Sequence, residues 1–167
     1  NIIVGARQEA DILNGPIQFS AGSGMTPEIM AIVQLLTGPK KNYLDTWEYK
    51  ITWVKGMSGS ERRLAFIRGD INGTRENPAA YKKHVIPVIK KGDAFTWFHH
   101  GLLNVKTGKH DKDPNFEEPT FEELYEEMWG VAPEGDFYDA YKLVKSWRDA
   151  LQKAFWLNKG NPNKQKL

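Results

Sequence analysis

Residues 16–37 read Pro-Ile-Gln-Phe-Ser-Ala-Gly-Ser-Gly-Met-Thr-Pro-Glu-Ile-Met-Ala-Ile-Val-Gln-Leu-Leu-Thr, and the fold depends on how this stretch is divided. The apolar run from Ile17 to Phe19 reads as a buried strand. Small residues from Ser20 to Thr26 form a loop, and an apolar helix opens at Pro27. Thr26 is an N-cap candidate, Pro27 takes a first-turn position where a missing N–H costs nothing, and Glu28 suits the positive helix end. Loop and first turn together aim unpaired N–H groups at one point. Such a point holds a carboxylate or phosphate, although the same pattern also serves as a plain tight connection between strand and helix. The loop has neither a Walker lysine nor GxGxxG spacing, which argues against a nucleotide.

Upstream of this unit, Ile2 to Val4 reads as a short strand, and Gln8 to Leu13 as a brief helix closed by Asn14-Gly15-Pro16. Downstream, Gly38-Pro39 stops the apolar helix, and Tyr49 to Val54 alternates as a strand. The small-residue loop from Lys55 to Ser60 precedes a helix that Ser60 is expected to cap and Gly69-Asp70 to end. The run Ile71 to Glu76 is expected as a short strand with its exit loop, Asn77-Pro78 as the start of a helix, and Ala94 to His99 as the most obvious buried strand. Lys106 to Asn115 reads as a surface loop. An acidic helix begins at Pro119-Thr120 and ends near Gly130. A long helix spans about Asp136 to Lys153, with Phe137, Ala140, Tyr141, Val144, Trp147 and Leu151 as its apolar stripe. Ala154 to Leu157 is expected as a closing strand. Strands alternating with helices predict an α/β, three-layer domain around a mostly parallel sheet, with any ligand at the carboxyl ends of the strands.

Composition narrows the function. At 167 residues the chain makes one domain with a sizeable core. A formal net charge of +2 points to neither nucleic acid nor a membrane surface. No run approaches the roughly 20 apolar residues that span a bilayer. With 0 cysteines, disulfides, zinc–thiolate sites and thiol catalysis are excluded.

The remaining polar residues have sharp and plain readings. His99-His100 invites a metal, but neighbours on a strand point to opposite faces, and no HxxxH spacing supports one. Glu117, Glu118, Glu122, Glu123, Glu126 and Glu127 are more simply a solvated helix face, and Arg62, Arg63 and Arg68 an exposed one. Trp53, Trp97 and Trp147 are read as core. Ser58 and Ser60 lack a nucleophile elbow, so an enzyme is not expected.

In this order of elements the chain resembles the substrate-binding receptors of tripartite tricarboxylate transporters, the Bug or TctC-like periplasmic proteins. The resemblance rests on Phe19-Ser20-Ala21-Gly22-Ser23-Gly24-Met25-Thr26, Val54-Lys55-Gly56, the run Leu64 to Gly73, the Pro119 to Leu124 segment, and Ala154 to Pro162. It covers only the second lobe of a two-lobed, type II periplasmic-binding-protein clamp, with crossover strands near 2–4 and 154–157 and the N-terminal lobe absent.

The resemblance implies periplasmic capture of a small organic carboxylate, without chemistry or cofactor. Ser20, Ala21, Gly22, Ser23, Gly24 and Thr26 would hold the carboxylate through backbone and hydroxyl groups, beside Lys55 and Gly56. Arg75 and Glu76 fall where the family carries ligand-facing residues, and Arg75 has the fork for a bidentate carboxylate pair. Met25 and the Arg75-Glu76 pair depart from the family pattern, so the identity of the acid does not carry over. The implied partners are the missing lobe, membrane transporter subunits or a second copy. The alternative expectation is a single-lobe structural or interaction subunit that keeps the fold without a ligand.

Overall fold

Helix α1 (Pro27–Thr37) is buried along its whole length, all eleven residues included. A helix apolar on every side belongs in the middle of a domain, and this one does. The computed structural model describes residues 2–5, 16–20, 26–40, 43, 51–104, 106–107 and 109–151. The expected helix at Gln8 to Leu13 and the closing strand at Ala154 to Leu157 lie outside those residues.

Strand β1 (Ile2–Val4) runs antiparallel between β4 (Thr74–Glu76) and β5 (Thr96–His99). Strand β2 (Ile17–Ser20) pairs in parallel with β3 (Ile51–Val54). A parallel bridge from Phe19 to Gly73 ties β2 to the entrance of β4, reinforced by Ser20 N–H donating to the Gly73 carbonyl at 3.2 Å. Gly73 is needed there, because a Cβ would meet the Phe19 ring at 2.8 Å. Across the sheet the order is β3-β2-β4-β1-β5, and β1 alone opposes the others.

Helix α2 (Gly59–Arg68) lies against β4. Helix α3 comprises Pro78–Ala80, a π segment at Tyr81–Val85 and Ile86–Lys90. Its Ile86 N–H reaches back five residues to the Tyr81 carbonyl, and the wider turn comes just before Pro87, whose ring disturbs a regular α-helical ladder. Helices α4 (Phe121–Trp129) and α5 (Asp136–Leu151) both pack on α1. One core joins Ile17, Phe19, Ile51 and Phe98 to α1, α4 and α5; a second joins Tyr81, Val85, Ala94 and Phe116. Phe98 meets Phe121 of the first core, while its neighbour His99 meets Phe116 of the second. Adjacent strand residues look to opposite faces, so the two cores flank β5. The fold is a mixed α/β one.

Several local expectations are corrected. Helix α2 is capped by Ser58 rather than Ser60, because only Ser58 stands three residues before an acid. Glu61 completes the capping box by accepting from Ser58 N–H at 2.6 Å. The strand expected over Ile71 to Glu76 is confined to Thr74–Glu76. The surface loop at Lys106 to Asn115 begins as the turn of a hairpin, β6 (Leu102–Asn104) with β7 (Lys109–Asp111). Asn104 makes that turn by accepting from the N–H groups of Lys106 and Thr107. The buried stripe of α5 is rotated from the expected one. It follows Tyr141 and Lys145, leaving Trp147 67% exposed beside Val144.

Candidate functional site

Because β2, β3, β4 and β5 run the same way, their carboxyl ends share one edge, where small ligands bind in open α/β sheets. Ser20 ends β2, Lys55 and Gly56 follow β3, Arg75 and Glu76 close β4, and His99 and His100 close β5. Ser20 is buried, and its hydroxyl has no hydrogen-bond partner among the described residues. Lys55 and Gly56 are exposed. Ala21, Gly22, Ser23 and Gly24 lie outside the described residues.

The edge is organised by a carboxylate of the chain's own. Glu28, in the first turn of α1, is fully buried. Arg75 Nη1 lies 3.1 Å from its Oε1, and Arg148 of α5 donates to the same oxygen. The Thr26 side chain hydrogen-bonds this carboxylate as well. Burial alone would raise the Glu28 pKa; the nearby His100, Arg75, Arg148 and the Thr26 bond outweigh it and hold the carboxyl well below its usual range. His100 itself is fully buried, its pKa pushed far down by burial and by Lys145 and Arg148, against the pull of Glu28. It is therefore neutral at neutral pH, sharing a 2.9 Å hydrogen bond between Nδ1 and the Tyr141 hydroxyl. Among the described residues the standing countercharges of Glu28 are Arg75 and Arg148.

Arg75 and Glu76 are adjacent on a strand, and their side chains part. Glu76 turns to Arg63 Nη1 at 2.9 Å. Arg62 and Arg63 were expected on an exposed face; instead Arg63 pairs inward and Arg62 is half-buried. Burial, with Arg75 and Arg63 close by, lowers the Arg62 pKa against the pull of Glu76 and Glu28. Its Nε is buried without a hydrogen-bond partner among the described residues, and no described carboxylate lies within ion-pair distance of it. Among the described residues four guanidinium groups thus gather around two carboxylates, Glu28 and Glu76, and Arg62 is the one with no carboxylate at ion-pair distance. Sequence reasoning missed Arg62, Arg148 and His100. The signal available was the Arg62-Arg63 pair one turn into a helix that leaves this same edge.

A second polar cluster lies beneath the β6–β7 hairpin. Glu122, expected on a solvated face, is mostly buried; the Tyr138 hydroxyl donates to its Oε1 at 3.3 Å, and His110 Nδ1 stands 4.0 Å away. Burial raises the Glu122 pKa to about 7 and lowers that of His110 to about 4. Among the described residues no three His, Asp or Glu side chains are grouped to hold a metal ion. Nor is any described helix long and apolar enough to cross a membrane.

Compared with known proteins, the chain matches no family model, no curated protein and no solved structure.

Proposed function

We propose that the chain is a solute-binding lobe of the type II periplasmic-receptor kind, similar to the second lobe of TctC-like receptors, and that it captures a small organic carboxylate at the carboxyl edge of its sheet. The strand order β3-β2-β4-β1-β5 supports this reading, with an antiparallel strand where a crossover from another lobe would enter. The observation that carries the ligand class is the cationic surplus among the described residues: Arg62, Arg63, Arg75 and Arg148 against Glu28 and Glu76. An incoming carboxylate supplies Arg62 with its missing partner, and a charge-assisted pair in this half-buried place is stronger than a surface one. Arg75 has a structural duty toward Glu28, so its role is to orient the edge while Arg62 reads the ligand. Capture requires no covalent step.

The test is thermal unfolding against a panel of mono-, di- and tricarboxylates. A ligand at ten times its dissociation constant adds about 1.4 kcal/mol, which moves the midpoint by roughly 3–6 °C in a domain of this size. Arg62→Gln should abolish the shift with the unliganded midpoint nearly unchanged. A panel that is flat throughout would remove the reading.

A second reading, an interaction subunit that retains the fold, is favoured by the exposed Leu143, Val144 and Trp147 on α5. Sedimentation separates the two: a stable oligomer that Trp147→Ser dissolves and that ignores carboxylates belongs to this second reading.

A further inference from the structure

Between α2 and α3, bordering the sheet edge at Arg63, lies a half-open cavity of about 330 Å³. Leu64, Phe66, Ile67, Val85 and Val88 supply apolar wall, and Ser60, Arg63, Thr74 and His84 complete it. The size falls within the range of small-molecule sites. We propose that this cavity binds a small, uncharged, largely apolar molecule carrying one hydroxyl or carbonyl group.

Three observations carry the assignment. First, Thr74 is 1% exposed and its Oγ1 is buried with no hydrogen-bond partner among the described residues. A buried hydroxyl left unbonded is costly, and a single polar group on a bound molecule satisfies it. Second, the ions at this wall already satisfy each other: Arg63 Nη1 holds Glu76 at 2.9 Å. A charged ligand would leave water for a place whose countercharge is spent, so the site selects a neutral molecule. Third, the wall contributed by α3 is the π segment Tyr81–Val85, from which His84 and Val85 come. The wider turn displaces these side chains relative to an α-helix, and π turns recur at functional sites. Leu64 and Ile67, both more than half exposed, form an open apolar mouth through which such a molecule enters.

The cavity adjoins the proposed carboxylate site through Arg63 but does not rest on that reading, and it takes the opposite chemistry. Benzyl alcohol is the probe, with benzoate as its charged counterpart of nearly the same shape. Titrated into the protein and followed through the methyl resonances of Leu64, Ile67, Val85 and Val88, benzyl alcohol should give a saturable shift confined to those residues. Val88→Phe, which fills the cavity, should abolish saturation, and Thr74→Val should weaken binding about fivefold. At these methyl resonances benzoate should give at least tenfold weaker binding, whatever it does at the sheet edge. Shifts that are unsaturable, spread over the surface or insensitive to Val88→Phe overturn the proposal, as does benzoate binding equally well. Folding of each variant is checked by its own midpoint; if Val88→Phe unfolds the protein, Ile67→Phe fills the same cavity from its exposed side and decides the matter.

Discussion

Glu28 and Glu122 are both withdrawn from water, yet the protein drives them to opposite protonation states. Glu28 is held by Arg75 and Arg148 and stays ionised far into acid. Glu122 has a tyrosine hydroxyl and an imidazole that is neutral at pH 7, and it titrates near neutrality. Burial pushes both upward; what differs is how strongly permanent charge answers it, since two arginines pair directly with Glu28 while Lys145 only partly offsets the burial of Glu122. The contrast also has a spatial meaning. Arginines gather at the carboxyl edge of the sheet, where the proposed ligand binds, while under the hairpin burial drives Glu122 and His110 toward their neutral forms beside the Lys145–Asp149 pair.

The largest effect should come from Glu28→Gln. The side chain keeps its shape, but two guanidinium groups then face an amide. Breaking a buried pair in this way costs about 3–5 kcal/mol, to be measured by chemical denaturation at pH 7. Because the folded-state pKa of Glu28 is depressed, its contribution is complete above the unfolded value near 4.5 and disappears as pH falls through the lower folded one. The gap between the parent protein and Glu28→Gln should therefore persist at pH 5 and close only in strong acid. A loss under about 1 kcal/mol would put this pair in the class of solvated surface ion pairs and dissolve the contrast.

Glu122→Gln should act with the opposite sign. A folded pKa raised to about 7 contributes stability that is complete below about 4.5 and is lost as pH rises through 7. At pH 8 the parent protein carries a buried ionised carboxylate, and the amide should be more stable by about 1–3 kcal/mol. At pH 4.5 the two proteins should be nearly equal. Midpoints that differ by the same amount at both pH values would mean that Glu122 titrates alike in the folded and unfolded chain, as a solvated acid does.

The elements on either side of this contrast were legible from the sequence to different degrees. Helix α1 was plain from Pro27 to Thr37, because a proline start, a run apolar but for Glu28 and Gln34, and Gly38-Pro39 leave one interpretation. Helix α4 was plain as well, its start at Thr120 matched by Glu123 and its end by Gly130. Periodicity misled on α5. The apolar series through Val144 and Trp147 looks like a buried face, but the helix is rotated so that Tyr141 and Lys145 go inward. The buried lysine has a companion one turn on in Asp149, a pair that local spacing also offers on any exposed helix. The candidate site was half legible. Thr26 and Arg75 do meet at the sheet edge, whereas Arg148 reaches Glu28 across 120 positions of chain, a distance over which no spacing rule operates. Arg62 was hidden for a simpler reason: an arginine on a polar helix reads as surface until the fold places Arg75 beside it.

The smallest effect, and the finest probe of the contrast, is expected from Tyr138→Phe. It removes one hydrogen bond to Glu122 Oε1, long at 3.3 Å, and leaves the ring and its packing on Tyr141. A hydrogen bond to an ionised group is stronger than one to a neutral group. At pH 8, where Glu122 is charged, the loss should approach about 1 kcal/mol. At pH 5, where the acid is neutral, it should fall to about half that. Without its donor the carboxylate is harder to hold, so the Glu122 titration followed by carboxyl carbon resonances should move upward from about 7. A uniform loss at both pH values, with the titration unmoved, would mean that Tyr138 supports the helix packing alone. The neutral character of this region would then rest on burial without help from the tyrosine. An upward movement would show that even here the protein partly restrains the charge it excludes, using a hydroxyl where the sheet edge uses two arginines.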